Sequence, residues 1–182
     1  LTAYELAAQL DSGELTSAHL TQVLLDRVAA VDAPGSTMGL RSVLAVDAAA
    51  MAVAHERDSE RAQGKNRGPL HGIPVMIKDN IEAVGLPGTA GASSLADRTV
   101  TADSPIAQRL RDAGAVIVAA TNLSEWANIR SPHSSSGWST VGGLTGNPWA
   151  LDRSAGGSSS GSGAAVAAGL TPIAVGTETD GS

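Results

Sequence analysis

Gly72-Ile73-Pro74-Val75-Met76-Ile77-Lys78-Asp79-Asn80 is an apolar run of strand length that ends on a lysine and two polar residues. Pro74 has no amide hydrogen to give to a ladder, so it belongs at the start of that strand or on a sheet edge. Downstream, Ser104-Pro105 opens a helix that runs to Ala113 and is stopped by Gly114, and Ala115 to Ala119 is a second apolar strand. Upstream, Arg41 to Val46 reads as a short buried strand, Asp47 as the cap of an Ala-rich helix over Ala48 to Gln63, and Gly64 to Pro69 as a closing loop. Nearer the start, Leu6, Leu10, Leu20, Val23, Leu24 and Val28 recur at helical spacing. Thr2 to Val31 is therefore two helices, broken at Ser12-Gly13-Glu14, with Thr16-Ser17 capping the second. Strands alternating with helices predict an α/β layered sheet rather than an all-α or all-β domain. The organisation expected is a helical segment over 1–32 followed by an α/β core over 41–182.

Beyond the second strand, glycine and serine take over. Ser131 to Gly137 and Gly142 to Pro148 are too rich in them for regular structure and read as loops over a surface or cleft. Ser154-Ala155-Gly156-Gly157-Ser158-Ser159-Ser160-Gly161-Ser162-Gly163 then feeds a small-residue helix over Ala164 to Gly169, and Pro172 to Val175 is a last strand before Gly176-Thr177-Glu178-Thr179-Asp180-Gly181-Ser182. The chain opens inside a helical pattern with no signal-peptide order, and closes in mid-motif, as expected of a fragment.

Composition limits what these loops can do. Twelve basic against 18 acidic residues leave a net charge of −6, the wrong sign for a partner bound through nucleic-acid phosphates. Without cysteine there is no disulfide, cysteine nucleophile or thiolate metal site. No apolar run approaches the roughly 18 residues of a membrane helix. The four histidines, His19, His55, His71 and His133, show no metal-ligand spacing and read as surface or packing residues. With no Phe and one Tyr, Trp126, Trp138 and Trp149 are expected to pack rather than line a cleft.

The Gly/Ser run before a helix has several readings. It suits a flexible linker. A phosphate cradle needs Lys and then Ser or Thr after its last glycine, where this chain has Ala164-Ala165. Gly157-Ser158-Ser159-Ser160-Gly161 fits the G-x-S-x-G nucleophile elbow of an α/β-hydrolase esterase, with Ser159 as nucleophile. That elbow, however, should follow a strand, and its histidine should lie downstream.

Taken together, Gly156 to Ser162, the terminal Gly176 to Ser182 and the lysine strand Gly72 to Asn80 resemble the amidase signature family. Ala113 to Val118, Thr121 to Glu125 and Gly146 to Trp149 agree in order and spacing. The resemblance covers about Leu1 to Ser182. It implies a mixed β-sheet flanked by helices on both faces, of which this chain holds the N-terminal portion. It also implies a Ser-Ser-Lys triad of Lys78, Ser158 and Ser182. Ser159 and Thr177 would orient that triad, and the backbone N–H groups of Thr179, Asp180, Gly181 and Ser182 would form an oxyanion hole. The Gly157–Ser158 peptide is expected to be cis. A serine is a poor nucleophile until a base takes its proton, and a lysine is such a base only when burial holds it neutral near pH 7. The apolar strand before Lys78 is the right setting.

The resemblance implies amide hydrolysis through an acyl-enzyme, with release of ammonia from a peptide C-terminal amide or a small carboxamide. No cofactor and no metal are expected. Expected partners are a peptide or small-molecule amide, without nucleic acid or membrane; a homodimer and a cytoplasmic location complete the expectation. Ser160, Gly161-Ser162-Gly163, Glu178 and Asp180 depart from the commonest family pattern. They point to peptide amidases rather than to the catalytic chain of a glutaminyl-tRNA amidotransferase. A further alternative is a remnant that keeps the motifs while serving as an interaction module. Alone, the 182 residues are expected to be inactive.

Overall fold

The structure, a computed structural model, describes residues 1–129 and 131–178. Its elements in chain order are α1 (Ala3–Ser12), α2 (Ser17–Val31), β1 (Val43–Val46), α3 (Ala50–Ala62), β2 (Pro74–Lys78), α4 (Pro105–Asp112), β3 (Val116–Thr121), β4 (Trp138–Ser139), β5 (Gly143–Leu144), α5 (Ser160–Ala167) and β6 (Ile173–Val175). The main sheet has the order β1-β3-β2-β6; β1 is antiparallel to β3, and the other pairs are parallel. This is the mixed α/β architecture expected from the sequence. None of the described helices is long and apolar enough to cross a membrane.

Strand alternation sorts the core into two layers. Val75 and Ile77 pack on one face of β2 with Leu6 and Leu10 of α1 and Ala107 of α4. Met76 faces the other side with Val28 of α2, Ala50 and Ala54 of α3 and Ala165 of α5. All five residues of β2 are buried, and each large apolar side chain among them contributes roughly 1.5–3 kcal/mol. The register between β2 and β3 slips by one residue, so that Val75 faces Ile117 and Met76 faces Ala119. Val118, the extra residue of that bulge, joins Ala119 on the α3/α5 side. By the same alternation Lys78 leaves β2 on the face where α5 lies.

Local chemistry explains the helix ends. Thr2 and Glu5 form a reciprocal capping box on α1, and Gly13 ends it in the left-handed conformation. Thr16 caps α2 and Ser104 caps α4, with Pro105 in the first turn. Pro74 stands first in β2, which is a central strand.

Several expectations need correcting. Asp47 does not cap α3: the cap position is Ala49, without a side-chain bond, and Asp47 closes a turn just before it by accepting from Ala49 N at 2.9 Å. The β1 strand is an edge strand, half-buried rather than buried, and Val46 is exposed. The stretch 138–144 holds a small hairpin, β4 with β5, because Trp138 and Ser139 pair with Leu144 and Gly143. Helix α5 starts at Ser160, inside the run that reads as loop, since Ser160 to Gly163 already carry helical bonds such as Gly163 N to Ser159 O at 3.0 Å. The tryptophans do not pack in the core: Trp126, Trp138 and Trp149 are all exposed.

Candidate active site

Lys78 ends β2 with no solvent exposure and is among the largest fully buried side chains. Its Nζ donates to Ser158 Oγ at 2.5 Å, to Thr177 Oγ1 at 2.8 Å and to Thr177 O at 3.4 Å. Burial drives its pKa down to about 8, against the opposing pull of the Glu178 carboxylate. A pKa of about 8 leaves roughly a tenth of the side chain neutral at pH 7.

Ser158 is fully buried and is brought to Lys78 by a backbone that passes close to the sheet. The Gly157–Ser158 peptide is cis. Ser124 N donates to Ser158 O at 2.9 Å, and Gly161 N to Asn122 O at 3.0 Å, so the loop is sewn to the residues just after β3. Glycine is required at the tightest points. A Cβ on Gly161 would collide with Asn122 N and Ser42 O, and one on Gly157 would collide with Ser124 Oγ. At the first turn of α5, Ser162 Oγ meets Thr121 Oγ1 at 2.7 Å and donates to Val175 O at 3.1 Å, tying the helix to β3 and β6.

Thr177, two residues past β6, closes the site. Ser159 Oγ donates to Thr177 O at 3.1 Å and accepts from Thr177 N at 3.2 Å. Both functions of the Ser159 hydroxyl are thus committed to positioning Thr177. No strand leads directly into Ser159 either, so the elbow reading finds no support. The terminal residues assigned to nucleophile and oxyanion hole, Thr179, Asp180, Gly181 and Ser182, lie outside the described residues. The structure therefore brings together Lys78, Ser158, Ser159 and Thr177 of the expected set.

Sequence reasoning missed the residues that brace this group. Asp79 is buried and accepts from Gly88 N at 3.0 Å, from Thr89 N at 2.9 Å and from the Thr89 hydroxyl, which fixes the loop beyond β2. Burial raises its pKa, and these donors act against the rise. Asn80 Nδ2 donates to Thr177 Oγ1 at 3.0 Å. The one available signal was that Asp79-Asn80 follows the lysine directly. Thr121, Ser124 and Ser162 fall inside stretches that carry the family resemblance, but nothing local in the sequence assigned them these bracing contacts.

Beside the loop lies a cavity of about 250 Å³, lined in part by Glu125, Asn128, Ser135 and Trp138. It adjoins the site, because Asn128 Nδ2 donates to Ser136 Oγ at 2.9 Å, and a Cβ on Gly157 would come 3.0 Å from that same oxygen. Trp126, Ala127 and Asn128 all have positive φ, at 51°, 53° and 68°, an unfavourable conformation for residues with a Cβ. Among the described residues no three His, Asp or Glu side chains gather as a metal site.

The fold has counterparts in known proteins. Peptide amidase from Stenotrophomonas maltophilia superposes with a TM-score of 0.96 at 49% identity, over 100% of this chain and 37% of that protein. An amidase family protein from Bacillus anthracis gives a TM-score of 0.91 at 37% identity, over 98% of this chain and 35% of that one. A glutamyl-tRNA(Gln) amidotransferase chain from Salinispora tropica is 43% identical over 182 residues, all of this chain and 35% of the relative. The chain thus spans about a third of the length of the proteins it matches. The family model described as Amidase matches residues 19–182, a span that contains the lysine strand, the Gly/Ser loop and everything between them, and on that match the chain belongs to the amidase family.

Proposed function

We propose that this chain carries the proton-transfer half of an amide hydrolase that uses a Ser-Ser-Lys triad. The observation that carries the reading is a lysine without solvent exposure, its pKa lowered to about 8, 2.5 Å from an equally buried serine hydroxyl. Neutral Lys78 takes the proton of Ser158 Oγ as Ser158 takes that of Ser182. The Ser182 oxygen then bonds to the amide carbonyl carbon. The carbonyl oxygen becomes an anion, held by the backbone N–H groups of Thr179 to Ser182. When the C–N bond breaks, the leaving nitrogen takes a proton from Ser158, which Lys78 replaces. An acyl-enzyme on Ser182 and ammonia or an amine result. Water, deprotonated through the same relay, frees the acid and restores Ser182. Thr177 and Ser159 hold the lysine end of this relay in register.

The substrate favoured is the C-terminal amide of a peptide, supported by the 49% identity with peptide amidase. The identity of 43% with an amidotransferase chain supports a second reading, in which the amide is transferred to glutamyl-tRNA(Gln). A net charge of −6 weighs against a tRNA partner for this part of the protein.

The test uses the protein at the full length its gene encodes. It is incubated with a fluorophosphonate probe beside Ser182→Ala and Lys78→Ala variants, and the labelled residue is read by mass spectrometry. Labelling at Ser182 that falls sharply without Lys78 supports the triad. Labelling at Ser159, or unchanged labelling without Lys78, overturns it. Release of ammonia from a peptide amide with water as the only acceptor then separates the two substrate readings.

A further inference from the structure

Asp79 and Asn80 leave the end of β2 toward different partners. Asp79 turns to Gly88 and Thr89, away from the lysine. Asn80 is exposed, and its amide nitrogen donates to Thr177 Oγ1 at 3.0 Å. That oxygen is one of the three that meet Lys78 Nζ. An ammonium has three hydrogens and finds an acceptor for each of them here. A neutral amine has two, and its lone pair must face Ser158 if that hydroxyl is to give up its proton. Thr177 O accepts in either state. Thr177 Oγ1 can do so too, but an acceptor binds the N–H of a charged ammonium more strongly than that of a neutral amine, so the acceptor strength of Thr177 Oγ1 bears on the balance between the two.

Resting on the reading of Lys78 as the proton acceptor, we propose that Asn80 is a positioning residue that acts on Lys78 through Thr177. Its amide fixes the Thr177 hydroxyl beside Nζ. By donating to the same oxygen, it weakens that oxygen as an acceptor, because each donor draws electron density from the one atom although each has a lone pair to itself. Thr177 then orients the amine without holding the ammonium tightly. Glu178 acts in the opposite sense: its carboxylate favours the charged lysine, and among the described residues it is the one charged group that acts on Lys78. Asn80 and burial thus pull together against Glu178.

The test is the pH profile of kcat and KM for a peptide amide, measured on the full-length protein with Asn80→Ala, Asn80→Asp, Thr177→Val and the double variant Asn80→Ala/Thr177→Val. Asn80→Ala should lower kcat at pH 7 by roughly three- to tenfold, leave KM within about twofold, and move the acid limb upward by about half a pH unit. Asn80→Asp adds a carboxylate near the lysine and should move the limb further in the same direction. In the Thr177→Val background, removing Asn80 should change neither the rate nor the limb. A limb that stays in place or moves to lower pH in Asn80→Ala overturns the proposal. So does an Asn80→Ala effect of equal size with and without the Thr177 hydroxyl. Persistence of the limb in Lys78→Ala instead overturns the reading of Lys78 itself, and the role of Asn80 falls with it.

Discussion

The two partners of the Lys78–Ser158 hydrogen bond are held in place by opposite means. Lys78 sits at the end of a strand whose five residues are all buried, fixed by apolar side chains that fill space on both faces of the sheet. Ser158 sits in a loop fixed by missing side chains, where Gly157 and Gly161 let backbone pass within a methyl group's width of Ser124, Asn122 and Ser42. A strand of the first kind tolerates substitutions that conserve volume, because packing reads shape and apolarity more than identity. A loop of the second kind tolerates almost nothing at Gly157 and Gly161, where a Cβ would collide with its neighbours. The contrast predicts where function and stability separate.

Replacing Lys78 should separate them most. Lys78→Met keeps the length and the burial of the side chain but not its basicity. Amide hydrolysis by the full-length protein should fall by about 10⁴-fold, while the melting temperature rises because no amine need be desolvated. Activity within tenfold of the parent would remove the lysine from the mechanism. Next in size is a pair of substitutions followed by chemical denaturation. Gly161→Ala puts a Cβ against backbone atoms of Asn122 and Ser42 and should cost about 3 kcal/mol or more. Met76→Leu, in the strand, should cost less than about 1.5 kcal/mol. Equal costs would break the comparison.

A third prediction assigns the pH dependence to the lysine side alone. Activity should rise roughly tenfold per pH unit on the acid limb and level off above about 8, as Lys78 loses its proton. The sign for stability follows from the same value. The folded pKa lies below the unfolded 10.5, so between about 8 and 10.5 the unfolded chain binds the extra proton. The contribution of Lys78 therefore destabilises fully below about 8 and is relieved as pH rises to 10.5. The Gly157 to Gly161 segment carries no titrating side chain. A glycine variant that stays folded should lower the rate without moving the limb.

What could be read from the sequence divides along the same line. The β2 strand was legible because its evidence is local: an apolar run, a proline at its start and a lysine at its end. Both helix caps at Thr16 and Ser104 were legible for the same reason. The Gly/Ser run was legible only as a resemblance, since its physical role depends on neighbours far along the chain; the contacts of Gly161 reach back to Ser42 and Asn122. Composition even misleads there, because Ser160 to Gly163 looks like loop and is the first turn of α5. Helix propensity loses at that point to bonds from Ser162 to Thr121 and Val175. The exposed tryptophans were not legible, because scarcity of aromatics says nothing about which surface they serve.

The smallest expected effect tests the place where the loop side lacks the glycine its conformation favours. Trp126, Ala127 and Asn128 follow one another at positive φ, and a left-handed residue with a Cβ costs roughly 1–2 kcal/mol. The segment is nevertheless held by Trp126 N donating to Ala90 O at 2.9 Å and Ala127 N to Ser124 O at 2.8 Å. Those bonds connect it to the residue whose amide meets Ser158, and Asn128 reaches the cavity wall beside Gly157. Ala127→Gly removes the Cβ clash but adds freedom to the unfolded chain, worth about 0.4–1 kcal/mol in the opposite direction. The net should be a gain of about 0.5 kcal/mol, a rise of one or two degrees in melting temperature. If the variant is less stable instead, the left-handed turn is relaxed with its Cβ present, and strain is not what distinguishes this loop from the strand. If it is more stable but hydrolyses peptide amides more slowly, the strained turn holds the cavity wall in the shape the reaction uses, and side-chain bulk matters on the loop side too.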